Sequence, residues 1–574
     1  MKKSIIYIFA ASILLLFASC NDFLDKNPRD TFTNNPEFWS NTNDVQSYSN
    51  KFYNNYVGFN RGGNYGWFYF KSLSDDQANA TFDNWTYTTV PATSGNWSDA
   101  FTEVRRADYS LQELKTSTLP ASDKLYYTAV DKLNRAWEYY QLVREYGDVE
   151  WINYPILDLN DTNIYGKRVD QDVVMDSVLN DLNYAITNLP SNVSDKTKWS
   201  KEMAEAMKSD ICLYEGTYCK YRTLADNGKA PDMDRAKKYL QESEGASEAL
   251  MGSSRYSLTP NYGEIYNSLD LSSNPEIIFY RNYEKDIVMH GTVDFTSGSS
   301  EQLGITKDAV NAFLFKDGKP LATTTLDKDD KAVANQNGDY SVEGMLKNRD
   351  KRLSVLIDSI ICFKGHSWAR LDENGKAPNA AQQMTSSTGY TIRKYDNTTL
   401  DSYYRNNTNT NYTDAPIYWY AVILLNEAEA KAELGTIAQS DLNQTINLLE
   451  SRAGLPDLTL QPEADPANNM GVSNLIWEIR RCRRCELMTD NWYRYWDLVR
   501  WHQLDKLDSQ QHPDINRGAN VSNVDKNTMT VDNDNYIIGT TKTRTFDKKY
   551  YLYPVPSNEL NLNKDNIKQN PGWE

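Results

Sequence analysis

Residues 123–147, DKLYYTAVDKLNRAWEYYQLVREYG, decide the fold. Apolar side chains fall at 126, 129/130, 133, 136/137, 140 and 143, a stripe of period 3.6 that predicts one long amphipathic helix. Gly147 is placed to end it as a C-cap. DVVMDSVLNDLNYAITNLP (172–190) repeats the pattern at 174, 178, 182, 185/186 and 189, ahead of Pro190. KEMAEAMKSDICLYEGTYCKYR (201–222) and DRAKKYLQESEGASEAL (234–250) follow, with alanines where helices approach closely. The first half is therefore a succession of paired helices.

Downstream the character changes. From 255 to about 413, short β-rich pieces such as EIIFY (276–280) and GYTIRKY (389–395) alternate with Gly/Asn/Asp/Thr-rich loops. Helical patterning returns in APIYWYAVILLNEAEAKAELG (415–435), DLNQTINLLESRAGLP (441–456) and NLIWEIRRCRRCELMTDNWYRYWDLVRW (474–501). The tail, 550–574, is extended and punctuated by proline. The expected fold class is mainly α: a helical scaffold over about 100–250 and 414–507, resembling tetratricopeptide-like helix pairs, with a loop-rich insertion at about 255–413 carrying short β-hairpins. Trp137, Trp419, Trp477 and Trp496 lie on helical stripes and are expected in the core.

The N-terminus carries a different message. Lys2 and Lys3 precede an apolar run from Ile5 to Phe17, then Ala18-Ser19 and Cys20. That run is too short for a bilayer-spanning helix, which needs about 20 residues, but has the length of a signal-peptide core. A cysteine just after small residues points to a lipoprotein signal over 1–19, with Cys20 becoming the acylated N-terminus of a single domain, 20–574. Several acyl chains tether a protein stably. Phe17 stands where such signals usually place an aliphatic residue; a plain secretory signal is the alternative.

Net charge is −17, and −19 once residues 1–19, with two lysines and no acids, are removed. Such a surface argues against nucleic acid or anionic lipid headgroups as partners. Six cysteines in 574 residues are no disulfide framework. Cys212 and Cys219 stand about 10 Å apart along a helix, too far to bridge, and Cys482 and Cys485, the lone CxxC, lack a second ligand pair for zinc. The four histidines, 290, 366, 502 and 512, form no HExxH or HxH pattern, and neither a GxSxG elbow nor a Walker loop occurs. DKDDKAVANQNG (327–338) and DNDNYIIGTTKT (532–543) both miss the EF-hand pattern and read as solvated loops. No catalytic residue, metal or cofactor is expected.

Aromatic content is the positive sign. Fourteen Trp and 39 Tyr, many beside amides as in NYGWFYF (64–70), DNWTYTT (83–89) and NNTNTNYTDAP (406–416), suit a sugar-binding face. Pyranose C–H faces pack on rings while amides and carboxylates take hydroxyls.

Several segments together resemble the SusD/RagB family of outer-membrane nutrient-binding lipoproteins. They are CNDFLDKNP (20–28), NRAWEYYQLVREYGDVEWI (134–152), VNAFLFKDGKP (310–320), NRDKRL (348–353), TGYTIRKY (388–395), the helices from 415 and 446, WEIRRCRRCELMTDNWYRYWDLVRW (477–501) and YPVPSNELNLNKDNIKQNPGW (553–573). They run in the family's order from Cys20 to Trp573. Cys482 departs from it, since members commonly carry Glu there; Glu486 remains. The resemblance implies one large helical domain on the outer membrane, exposed at the cell surface. It further implies capture of glycans as the lid of a SusC-like TonB-dependent transporter, without breaking a bond. A peptide-binding RagB-like lid is the alternative, with a surface glycoside hydrolase or a ligand-free structural protein behind it. By the same resemblance the ligand face is built from the N-terminal loops and the middle insertions, which singles out Trp67, Tyr69 and Trp85 as stacking platforms, Asp75 as a hydroxyl acceptor, and Tyr283 and Trp368 from the middle segment.

Overall fold

The structure, a computed structural model, describes residues 36–59, 68, 73–158, 160–293, 303–363, 385–526, 529–563 and 566–574. Its scaffold is a row of helices, α1 (Gly95–Thr116), α2 (Ala121–Tyr146), α3 (Gln171–Asn188), α4 (Lys201–Tyr221) and α5 (Met233–Gly252), each packed on the next except that α5 also receives α6 (Tyr420–Leu434). The next place in the row is thus filled by a helix that follows some 170 residues later. The order after it is α7 (Ile446–Ala453), α8 (Asn474–Glu486) and α9 (Tyr493–Arg500). The stripe predicted in 123–147 is buried along α2, and Gly147 ends the helix with φ +71°, a conformation that costs glycine little.

Helix α1 is legible only in part because polar residues interrupt its buried face. Asp108 on that face bonds Arg135 of α2 at 2.7 Å, Arg135 also holds Asp181 of α3 at 2.8 Å, and Ser110 donates to Asp131 at 2.6 Å. A charged clamp ties three helices where a stripe reading looks for leucines.

Strands are short. β1 (Gln77–Asn79) pairs antiparallel with β3 (Leu303–Ile305), β2 (Ile277–Arg281) with β6 (Ala415–Trp419), β4 (Val333–Ala334) with β5 (Tyr340–Ser341) and β7 (Arg517–Asn520) with β8 (Tyr536–Ile538). Only β4–β5 is a tight local hairpin; β1–β3 and β2–β6 join distant segments. EIIFY is a strand as expected, whereas GYTIRKY makes isolated bridges, Cys362 to Gly389 and Ile357 to Ile392. Two helical expectations are shortened. Residues 415–419 are strand, Pro416 facing Tyr280, and the helix starts at Tyr420. The 474–501 stretch breaks after Glu486, where Thr489, Asn491 and Trp492 adopt left-handed φ of +71°, +45° and +61°. The Lys394 ammonium, wholly buried, draws this turn inward by bonding the Met488 carbonyl at 2.9 Å and Asp490 at 2.8 Å.

One hydrophobic cluster runs from Phe52 to Ile567 and includes Trp137, Trp419 and Trp496, with all five described cysteines buried and none of them in a disulfide. Trp477 departs from expectation: it is half-buried on a cavity wall. Through this core passes α8, whose polar side chains end on other elements. Arg480 pairs with Glu433 at 2.9 Å, Arg483 with Asp497 at 2.9 Å, and Arg484 with Asp76 and Asp308, each at 2.8 Å. Glu486, fully buried, accepts from Arg352 at 3.0 Å and from Arg452, which in turn holds Glu276 at 2.8 Å. Cys482 stands beside this chain and accepts from Arg352 at 3.5 Å, so the residue that departs from the family pattern still touches the ion network.

Breaking a buried pair from one side strands the other charge. Glu486→Gln is therefore expected to lower the unfolding free energy by about 3 kcal/mol, read from denaturant midpoints; a loss under about 1 kcal/mol would contradict the network's role. Stability should also peak in mild acid. Burial would raise Glu429, but the Arg500 guanidinium overrides it and holds the carboxyl at about 2. Its contribution is complete above the unfolded value of about 4.3 and is lost as pH falls towards 2. Burial outweighs Arg452 at Glu276 and Lys431 at Glu427, holding both up at about 7. Their contribution is complete below about 4.3 and is lost as pH rises through 7. Denaturation at stepped pH should place the maximum at about 4, and a midpoint that climbs steadily to pH 8 would contradict these signs.

Candidate ligand-binding site

Four of the predicted positions, Cys20, Trp67, Tyr69 and Trp368, lie outside the described residues. The other three are engaged by the protein itself. Trp85 is 5% exposed, stacked on Tyr550 with centroids 4.3 Å apart, and donates Nε1 to the Thr545 carbonyl at 2.7 Å. Tyr283, also 5% exposed, packs its ring on His290 at 4.6 Å and donates its hydroxyl to the Val57 carbonyl at 3.3 Å. Neither presents an open ring face. Both oxygens of Asp75 are gripped by Arg494, at 2.7 and 2.6 Å, so a sugar hydroxyl meets a carboxylate already in use.

Asp75 braces a junction, its backbone carbonyl accepting from the Thr306 hydroxyl at 2.6 Å. The stretches ending at residues 72, 302 and 384 rejoin the described chain at one layer. There β1 pairs with β3, Ile305 donates to the Tyr390 carbonyl at 3.1 Å, and Ser387 donates to that of Ala78 at 2.7 Å. A Cβ on Gly304 would come within 2.2 Å of the Ser386 and Thr388 hydroxyls, so only glycine admits this approach.

A second feature lies where α1, α2 and α4 face the turn between α8 and α9. It is a cleft of about 590 Å³, within the range of small-molecule sites. Rings of Trp137, Trp492 and Trp496 line it together with Tyr140, Tyr214 and Tyr418. The Arg144 guanidinium lies 4.2 Å from the Trp496 ring centroid and 5.0 Å from that of Tyr140. Three left-handed residues in the 487–492 turn aim Asn491 and Trp492 at the cleft; such strain in a bulky residue persists only where surrounding contacts enforce it.

Five lining side chains each carry a buried polar atom without a hydrogen-bond partner among the described residues: Asn55 Nδ2, Gln141 Nε2, Arg144 Nε, Tyr214 OH and Asn491 Oδ1. Leaving such an atom unpaired costs about 1–3 kcal/mol, so their convergence is chemically pointed. Glu138 joins them. Burial, then the neighbouring Glu103 and Glu145, push its carboxyl well above the usual range, so it can donate as well as accept. Burial likewise keeps the Tyr214 hydroxyl protonated. The wall therefore combines aromatic rings with protonated Glu138 and Tyr214, amide groups and the Arg144 guanidinium.

Two acidic groups elsewhere could be mistaken for metal sites. Asp172 and Glu215, beside Cys219, already flank Arg235, and Glu244, Glu248 and Glu427 surround the Lys431 ammonium within 3.9 Å. Each has its cation built in.

Sequence reading missed the cleft although its sign was present. Asp490-Asn491-Trp492 repeats the Asp83-Asn84-Trp85 triplet that was singled out, but sits inside a stretch read as one helix.

Comparison with known proteins gives the lineage. Residues 265–573 match the model described as the SusD family, and residues 22–213 match one described as "Starch-binding associating with outer membrane". A SusD-like protein of Bacteroides ovatus is 26% identical over 262 residues, 42% of this chain and 44% of that relative, so the match spans less than half of the relative's length. Among solved structures, a SusD-like carbohydrate binding protein from Bacteroides fragilis NCTC 9343 aligns with TM-score 0.70 at 19% identity, covering 92% of this chain and all of the other. A laminarin binding SusD-like protein aligns with TM-score 0.54 at 19% identity, covering 92% of this chain and 99% of the other. With more than half its length matched by the family's model, the chain belongs to the SusD family.

Proposed function

We propose that this protein binds glycans at the cell surface without cleaving them, held to the outer membrane through acyl chains on Cys20, and serves as the lid of a SusC-like TonB-dependent transporter. The observation that carries the reading is the cleft, where eight aromatic rings meet buried polar atoms that have no hydrogen-bond partner among the described residues. A polyhydroxylated ligand supplies both needs: C–H faces for the rings and hydroxyls for the amides, guanidinium and phenol. The printed descriptions of the relatives, carbohydrate binding and laminarin binding among them, agree with that chemistry. Trp67, Tyr69 and Trp368 would extend the contact from the junction beside Asp75. Closure of the lid over the transporter would follow ligand occupancy.

Titration of the mature protein with neutral oligosaccharides, followed by tryptophan fluorescence and calorimetry, tests this directly. Tyr214→Phe removes a hydroxyl with no partner, so stability should change by under about 0.5 kcal/mol while glycan affinity falls roughly tenfold. Equal affinity in the variant would remove the cleft from the site. Ligand recovered shortened would favour a hydrolase, and binding of peptides in place of every saccharide would favour the peptide-carrying lid. The anchor has its own check: labelled palmitate should enter the wild-type chain and be absent from Cys20→Ser.

A further inference from the structure

A second cavity, of about 420 Å³, opens on the far side of α8 from the ion chain of Glu486, between that helix, the 465–470 loop and the segment 506–515. Its wall is apolar in large part, with Leu321, Met470, Ile515 and the half-buried ring of Trp477. Four carboxylates line it, and each is already matched. Asp75 is held by Arg494 at 2.6 Å, Asp308 by Arg484 at 2.8 Å, Asp465 by Arg481, and Asp514 by Arg517 at 3.1 Å. Arg480, on the same wall, is matched by Glu433 from behind. One cation is left over. Lys506 is only 9% exposed, lines the cavity, and has neither an ion pair nor a side-chain hydrogen bond among the described residues.

We propose that this cavity binds the carboxylate of a uronate unit, with Lys506 as its counter-ion and Trp477 under the sugar's C–H face. The proposal rests on the glycan-binding reading and names an acidic class of ligand for a place separate from the cleft. Three physical points support it. Lys506 is nine-tenths buried as a residue and has no ion partner among the described residues, and a carboxylate is the complement its ammonium lacks. Burial draws the Lys506 pKa down, with Asp505, Asp75 and Asp308 pulling it up and Arg494 opposing them; a bound carboxylate would pull it up further. The acids that would repel an incoming anion are neutralised by arginines in contact with them, so the net field of the wall favours it. The amides of Asn311 and Asn469 also line the cavity and make no side-chain hydrogen bond among the described residues, leaving them for ring hydroxyls.

The test is calorimetry on the mature wild-type protein with tetragalacturonate, its fully methyl-esterified form, a neutral gluco-oligosaccharide and a short peptide with a free C-terminus. Tetragalacturonate should bind at least tenfold more tightly than its ester, with an affinity that weakens as salt is raised. Lys506→Met should erase that preference while melting no lower than wild type, because it keeps the apolar stem and breaks no ion pair. Equal binding of acid and ester, or binding of the neutral oligosaccharide alone, overturns the uronate site and leaves the glycan-binding reading intact. Capture of the peptide carboxylate with no uronate binding overturns the ligand class. Failure of every saccharide overturns the glycan-binding reading as well.

Discussion

The structure hangs on the arginines of α8. Thirteen residues carry charges to Glu433 and Asn426 on α6, Asp497 on α9, Asp76 just before β1, Asp308, and through Glu486 to Arg352 and Arg452. Partners up to 408 positions away in sequence are thus fixed to one rod. Guanidinium suits this use, since it stays charged and presents several donors in a rigid fork. Desolvating so many charges brings little net stability, but each pair penalises any arrangement that leaves a member alone. Apolar packing would tolerate small slips of the loop-rich middle against the helical row; matched buried charges do not.

That constraint explains how a chain with few long strands can hold two cavities open. Helices α1, α2 and α4 form one wall of the cleft, and the segment from α8 to α9 forms the opposing one. Between them the 487–492 turn is bent left-handed and pulled in by Lys394, which leaves Trp492 facing Trp137 and Trp496 across the cleft's volume rather than filling it. On the other side of α8 the same helix turns Trp477, Arg480, Arg481 and Arg484 to the second cavity. The two cavities differ in electrostatics for a local reason. Near the first, burial and the neighbouring Glu103 and Glu145 push the Glu138 carboxyl well above its usual range, whereas near the second every carboxylate has an arginine or lysine in contact and one lysine remains.

Much of the helical scaffold was legible because leucines, valines and alanines recur at period 3.6 in α2 to α5, and the order of family segments added the rest of the architecture. What escaped had physical causes. Helix α1 buries Asp108 and Ser110 against Arg135 and Asp131, which periodicity of apolar residues cannot register. The break after Glu486 comes from Lys394, nearly 100 residues upstream, and so has no local sign beyond the polar pair Asp490-Asn491. Loop aromatics were the right kind of residue to ask about, but a ring beside an amide does not reveal whether its face is already taken, as at Trp85 by Tyr550. Conversely, Trp137 and Trp496 are core residues by stripe and burial and still turn an edge to the cleft.

A crystal structure of the mature protein with a bound neutral oligosaccharide addresses the central claim most directly. The account predicts sugar density between Trp137 and Trp492, with ring hydroxyls bonded to Asn55, Gln141, Asn491 or the Tyr214 phenol. Density confined to other surfaces, with the cleft holding only solvent at saturating ligand, would contradict it.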